Sequence, residues 1–294
     1  LVTAQFALRA TRQQTPLTTN KPTGLLVLVN GMEQAGKGTA VTQLRQWVDP
    51  RLLKVEATIG DCPLEHQPIW QAHTKALPRH GDVMVYFGNW YADLLYNVMR
   101  MATLDDNEDD DDKVKKSEDK NNKTLKNNAL PIGQWQNYLK QELTKLQAFE
   151  QDLAANQTKL LKCWFHVDIE TLKARLNDDE ADPEFLYQID WKSKQVVDTF
   201  NKVATALLRQ QNDWIIINGD DKSEAATHFC HEVLQAMQTA LESSKAESSK
   251  AESQNIKEAA KFEPVAVPKT LINVDDTEIE KSDYHKALAD KQAH

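Results

Sequence analysis

The chain alternates short apolar runs with longer segments in which apolar residues recur at helical spacing. Five runs rich in β-branched and aromatic residues predict strands, at residues 25–29, 53–59, 83–87, 160–167 and 214–217. Segments with the helical period predict helices, at residues 1–14, 39–47, 64–76, 135–155, 169–177 and 190–209. Strands and helices in alternation predict an α/β fold, with a five-stranded parallel sheet covered by helices on both faces.

A glycine-bounded lysine follows the first predicted strand. In "VNGMEQAGKGTA", Gly31, Gly36 and Lys37 have the spacing G-x-x-x-x-G-K between a strand and a helix, the context that a phosphate-binding loop requires. Glycines let backbone N–H groups turn towards phosphate oxygens, and the helix start adds positive potential. The alternative is a glycine-rich turn with an exposed lysine. We expect a phosphate cradle made of Gly31, Ala35, Gly36, Lys37, Gly38 and Thr39.

Charge does not decide the ligand, although the 294 residues carry a net charge of −9. Residues 105–128 hold nine acids and six bases, and residues 241–294 hold eleven acids and eight bases, so each segment contributes −3. Because the remainder carries only −3, a local basic groove for a polyanion is compatible with the composition. No apolar window is long enough to span a bilayer, and no secretory signal is present in the first twenty residues, so we expect a cytoplasmic location.

Two segments have the composition of disordered chain. Residues 105–128 are nearly free of large apolar residues and predict an acidic surface insertion, in preference to a metal site at residues 109–112. Residues 241–270 repeat "SSKAE" and continue into "EPVAVPKT", which predicts a linker, and residues 271–294 regain a helical pattern. The first residue is not methionine and the last residues begin a new element, so we expect a piece of a longer protein. The three cysteines, Cys62, Cys163 and Cys230, are widely spaced and predict reduced structural thiols.

Four blocks together resemble the polyphosphate kinase 2 family. They are, in chain order, "GMEQAGKGTAVTQLRQWVDPRLLKV", "ALPRHGDVMVYFGNWY", "LLKCWFHVDIETLKARL" and "NDWIIINGDD", and they span residues 25–222. The resemblance implies a P-loop kinase α/β/α sandwich with a helical lid at about 169–210. It also implies Mg²⁺ as cofactor, and transfer of phosphate between inorganic polyphosphate and a nucleotide.

Some members of the family resemble two such domains in one chain and use polyphosphate to convert AMP into ADP. By this resemblance, residues 1–240 are a first domain and residues 271–294 are the start of a second. The implied partners are polyphosphate, AMP or ADP and the second domain, in a homo-oligomer, with no nucleic acid and no membrane.

The chain departs from the family pattern at residues that the family uses for transfer. Glu33 stands where the family has an aspartate that helps position the metal or the acceptor, so it is a candidate catalytic residue beside Lys37 and a weak metal ligand. Phe87 and Gly88 stand where the family has an aspartate and an arginine. Since phosphoryl transfer depends on positioning and electrostatic stabilisation, these changes predict a catalytically degraded domain with a structural or phosphate-binding role.

The lid stretch "LNDDEADPEFLYQIDW" is acidic where the family is basic, which agrees with the loss of transfer. Two alternatives remain open at this stage. The chain could be an active polyphosphate-dependent nucleotide kinase in its own right, or an unrelated nucleoside monophosphate kinase.

Other candidate residues carry weaker signals. The family pattern favours Arg51, in "DPR", as a phosphate contact, whereas Arg79 is as readily explained as a solvated surface residue. His166, at the end of an apolar strand, is expected to be a core residue rather than a ligand. Trp90 and Tyr91 are expected to pack below the site, with stacking on a nucleobase as the alternative.

Overall fold

Five parallel strands form one sheet in the spatial order β2-β3-β1-β4-β5. The strands are β1 Gly24–Gly31, β2 Leu53–Ala57, β3 Val83–Phe87, β4 Thr158–His166 and β5 Trp214–Asn218. This computed structural model describes residues 1–13, 23–57, 68–108, 135–178 and 190–254. The predicted α/β fold is confirmed, and each predicted strand coincides with an observed strand to within a few residues.

The register of the sheet fixes which loops can meet. Leu25, near the start of β1, pairs with Val83 at the start of β3, and Val83 pairs with Leu53 at the start of β2. On the other side, Leu25 pairs with Lys159 near the start of β4. Because all strands are parallel, the segments that follow them lie at one edge of the sheet, where open α/β sheets bind ligands.

Seven α-helices accompany the sheet within the described residues. They are α1 Val2–Gln13, α2 Lys37–Trp47, α3 Trp90–Glu108, α4 Trp135–Ala155, α5 Ile169–Asp178, α6 Lys194–Gln210 and α7 Lys222–Gln254. Short 3₁₀ segments cover Pro50–Leu52 and Ile69–Ala76. Within the described part of the chain, no helix is both long and apolar enough to cross a membrane.

Three helical predictions need correction. The α-helix predicted over 64–76 is a 3₁₀ segment where it is described, beginning after Pro68, which cannot donate a backbone hydrogen bond. Helix α3 was not predicted, and it covers 105–108 of the predicted insertion, whose other residues lie outside the described ranges. Helix α7 continues to Gln254, beyond the predicted linker start, because residues 241–254 are free of glycine and proline.

Residues Leu1–Ser253 form one compact unit, and the second unit, Gln254–His294, lies outside the described residues apart from Gln254. The predicted linker and second-domain start therefore stay predictions beyond that point. The thiols of Cys163 and Cys230 are free and buried, and burial raises the pKa of Cys230 to about 11. Such thiols are poor nucleophiles, as the sequence predicted, while Cys62 lies outside the described residues.

A buried ion-pair network joins the sheet to the helices. Lys162 of β4 is 3% exposed, and its Nζ lies 2.8 Å from Glu150 Oε2 of α4 and 2.7 Å from Asp213 Oδ2. Glu150 Oε1 also accepts hydrogen bonds from Tyr91 Oη at 2.6 Å and Trp90 Nε1 at 3.3 Å. The network therefore holds the first turn of α3 against α4 and β4.

A second buried group fastens the 3₁₀ segment to the same region. His73 bonds Tyr86 Oη of β3 through Nδ1 at 2.6 Å and Asp93 Oδ2 of α3 through Nε2 at 2.8 Å. Buried polar groups cost free energy unless they are paired, and here both ring nitrogens have partners. The junction between β3 and α3 is thus supported from two sides.

Candidate functional site

The phosphate loop begins where β1 ends. Gly31 has a φ of +121°, and a Cβ placed there would overlap the carbonyl oxygen of Phe165 on β4, so only glycine fits. Gly36 has a φ of +87° immediately before α2, in the left-handed region that glycine adopts readily. These two conformations turn the backbone back over the end of the sheet and lead it into the helix.

Lys37 points into its own loop. Its Nζ donates to the carbonyl oxygens of Gly31 at 3.0 Å and Met32 at 2.8 Å, and lies 3.6 Å from Glu33 Oε2. Burial lowers the pKa of Lys37, and the Glu33 carboxylate offsets part of that shift. An incoming phosphate would have to compete with these contacts, but it would gain a lysine already placed at the loop.

The structure brings together the predicted cradle residues. Gly31, Ala35, Gly36, Lys37, Gly38 and Thr39 lie on one loop and the first turn of α2. Gly38 and Thr39 are exposed, and a Cβ at Gly38 would meet no atom within 4 Å. Unlike Gly31, Gly38 is therefore not required by sterics.

Arg51 does not join this cradle, and a contact between Arg51 and phosphate stays a prediction that the loop geometry does not support. It precedes β2, whose start is in register with the start of β1, and therefore lies at the opposite edge of the sheet from the loop. Its Nη2 is 2.6 Å from Asp49 Oδ2, and this contact lowers the pKa of Asp49 to about 2. Arg79 precedes β3 at that same opposite edge and is exposed.

The β3–α3 junction faces the loop from the neighbouring strand. Phe87 ends β3, and Gly88 has a φ of +59°, which few residues with side chains adopt. Asn89 Oδ1 accepts hydrogen bonds from the backbone N–H of Tyr91 and from Asn30 Nδ2, each at 3.1 Å. Asn89 thus caps α3 and ties it to β1, a role that an asparagine before a helix can signal in a sequence.

A cavity of about 160 Å³ separates the loop from this junction. Its lining is largely apolar and is formed by Val29, Asn30, Gly31, Glu33, Lys37, Phe87, Gly88, Ala92, Leu95, Tyr96, Met99, Trp191 and Phe200. Among the described residues, Glu33 is the one carboxylate on these walls, and it lies beside Lys37.

Magnesium prefers octahedral oxygen coordination, with carboxylates supplementing phosphate and water oxygens. Within the described ranges there is no cluster of three or more residues suited to a metal ion. Mg²⁺ at this site would rest on Glu33 together with phosphate and water oxygens, so Glu33 as a weak metal ligand stays a prediction.

Of the remaining candidates, Trp90 and Tyr91 lie in the core, whereas His166 does not. Trp90 and Tyr91 are fully buried, which confirms that they pack in the core and leaves no face for stacking on a nucleobase. His166, at the end of β4, is half-buried, and burial lowers its pKa despite the nearby Asp220 and Asp168. Of the lid predicted at about 169–210, residues 179–189 lie outside the described residues, and α5 and α6 cover most of the remainder.

Comparison with known proteins agrees with the loop and the fold. A family model described as polyphosphate kinase 2 matches residues 1–136 and 133–245. The chain belongs to the polyphosphate kinase 2 family. The first matched stretch contributes β1 to β3 and the second contributes β4 and β5, so together they build one sheet.

Relatives in this family include two named polyphosphate:AMP phosphotransferases. The protein from Acinetobacter johnsonii is 33% identical over 98% of this chain and 51% of its own length. The protein from Pseudomonas aeruginosa is 28% identical over 83% of this chain and 42% of its own length. The chain therefore spans about half the length of the curated relatives it matches.

Solved polyphosphate kinase 2 structures share the fold. A crystal structure assigned to polyphosphate kinase 2 from Pseudomonas aeruginosa PA01 superposes with a TM-score of 0.57 at 25% identity, covering 100% of this chain and 49% of that one. The crystal structure of polyphosphate kinase 2 from Arthrobacter aurescens TC1 superposes with a TM-score of 0.54 at 16% identity, covering 81% of this chain and 74% of that one. Family membership sets aside the alternative of an unrelated nucleoside monophosphate kinase.

Proposed function

We propose that this chain is one half of a polyphosphate:AMP phosphotransferase, and that this half holds polyphosphate without transferring it. The observation that carries the proposal is the contrast across the cavity. One wall has an intact phosphate loop with Lys37, and the facing wall has Phe87 and Gly88 in place of an acid and a cation.

Catalysis of phosphoryl transfer rests on groups that stabilise the transition state. Losing one such contact typically costs about 3 kcal/mol, or roughly a hundredfold or more in rate. By the family resemblance the β3–α3 junction lacks two such groups, and Glu33 is the one carboxylate among the described residues that line the cavity. Residual transfer by this half is therefore expected to be very slow.

The lengths of the relatives support a tandem protein. Since the chain covers about half of two polyphosphate:AMP phosphotransferases, we place the transferring domain, with its Mg²⁺ and AMP, in the other half. The partners proposed for this half are that second domain and polyphosphate, in a homo-oligomer with a cytoplasmic location.

A second candidate function is a slow but active polyphosphate-dependent nucleotide kinase. It is favoured by the retained loop geometry and by Glu33, whose carboxylate lies 3.6 Å from Lys37 Nζ. This candidate differs from the main proposal in requiring nucleotide product from this chain alone.

Polyphosphate binding by the 294-residue chain tests the holding role. We expect calorimetry to detect binding without Mg²⁺, and we expect Lys37→Ala to weaken it by about tenfold, because a charge-assisted contact is lost. Lys159→Ala is the matched control, since Lys159 lies near the start of β4, at the edge of the sheet opposite the loop. Equal affinity for Lys37→Ala and the control would show that the loop no longer meets phosphate.

A further inference from the structure

The loop that follows β5 is fastened to the phosphate loop. A Cβ at Gly219 would overlap the carbonyl oxygen of Ala35, so the two backbones are in close contact. Arg175 of α5 donates to the carbonyl oxygens of Gln34 at 2.7 Å, Gly219 at 2.8 Å and Asp220 at 2.6 Å. One guanidinium therefore bridges both loops and fixes where α7 begins.

Lys222, the first residue of α7, lies beside the start of α2. A Cβ built at Gly36 would be 3.5 Å from Lys222 Cγ and 3.8 Å from its Cα, which is ordinary van der Waals distance. The lysine is exposed, and among the described residues it forms no ion pair. Its ammonium, three bonds beyond Cγ, can extend over the backbone N–H groups that begin α2.

The acids nearest in sequence are engaged elsewhere. Asp221 Oδ1 accepts hydrogen bonds from the backbone N–H groups of Ser223 at 2.7 Å and Glu224 at 2.9 Å, which cap α7. Asp220 Oδ1 accepts from the backbone N–H of Asp168 at 2.8 Å. These carboxylates lower the local positive potential, but neither forms an ion pair with the lysine.

We infer that Lys222 is a second cation of the phosphate site, placed to contact the phosphate next to the one that Lys37 holds. Lys37 meets one phosphate from inside the loop, and Lys222 meets the next from the α7 side. The inference rests on the proposed phosphate-holding function and adds a binding residue that lies outside the phosphate-loop motif.

Calorimetry on the 294-residue chain tests this with inorganic tripolyphosphate and orthophosphate as probes. We expect Lys222→Gln to weaken tripolyphosphate binding by about fivefold to tenfold and to reduce the slope of log Kd against log salt by about one, because one cation–phosphate contact is lost. Orthophosphate binding should change little. Lys222→Arg should retain most of the affinity, and Lys159→Gln, the same charge change at the opposite edge of the sheet, should bind like the unmodified chain.

The outcomes separate the two proposals. If Lys37→Ala weakens tripolyphosphate binding but Lys222→Gln matches Lys159→Gln, the inference about Lys222 is wrong and the proposed function stands. If Lys222→Gln weakens orthophosphate and tripolyphosphate binding equally, the placement of Lys222 at the neighbouring phosphate is wrong. If the unmodified chain binds neither probe, or Lys37→Ala binds like the unmodified chain, the proposed function fails and this inference fails with it.

Discussion

The β1–α2 loop and the β3–α3 junction lie side by side at the same edge of the sheet and differ in what they retain. The loop keeps its glycines, its left-handed Gly36 and a lysine inside the turn. The junction is also supported by buried hydrogen bonds, but the residues that it contributes to the cavity wall include the uncharged Phe87 and Gly88. Similar structural support on the two sides of the cavity therefore accompanies a charged side chain on the loop side and none on the junction side.

One large expected effect tests whether the loop geometry depends on its glycines. Gly31→Ala should lower the free energy of unfolding by about 3 kcal/mol or more, because the added methyl group overlaps the Phe165 carbonyl oxygen at a positive φ. The matched variant is Gly38→Ala, which meets no neighbour and should raise stability by up to about 1 kcal/mol. Urea unfolding of both chains measures this; similar values for the two variants would contradict the loop geometry.

The support of the β3–α3 junction can be broken through the buried network. Lys162→Met should cost about 3 to 5 kcal/mol of stability, since Glu150 would keep a buried charge without its cation. Lys145→Met, which removes a lysine 2.6 Å from Glu142 on the surface of α4, should change stability by about 0.5 kcal/mol or less. Equal losses in the free energy of urea unfolding for the two variants would contradict a stabilising role for the buried Lys162–Glu150 pair.

The smallest expected effect concerns pH at the end of β4. Burial lowers the pKa of His166 below 6.5, so the unfolded chain binds this proton more readily than the folded chain. Stability should therefore fall as the pH drops below about 6.5, and His166→Asn should make that fall shallower. Unfolding measured across this range tests the prediction, with His80→Asn as an exposed control; an unchanged pH dependence in His166→Asn would contradict it.

Hydrophobic patterning located the strands well because each is an apolar run with flanking breakers. It missed α3, whose first residues, Trp90 and Tyr91, are aromatic and also suit a strand. Within the site, the loop was predictable because Gly31 to Lys37 is contiguous in sequence. Only the sheet register could separate Arg51 from the loop.

Contacts between distant loops left no local sequence pattern. Arg175 contacts Gln34, which is 141 residues away along the chain, through backbone carbonyl oxygens that any residue carries. Lys222 reaches Gly36 in the same way, through the packing of one loop on another. Such residues become candidates only when the fold is known.

Formation of ADP by the 294-residue chain tests the central claim most directly. The chain is incubated with polyphosphate, Mg²⁺ and AMP, and ADP formation is followed by phosphorus NMR. The Acinetobacter johnsonii relative is the positive control. We predict polyphosphate binding but no ADP above the rate without protein, since the β3–α3 junction presents the uncharged Phe87 and Gly88 to the cavity. ADP formation at a rate comparable to that of the relative would contradict the account.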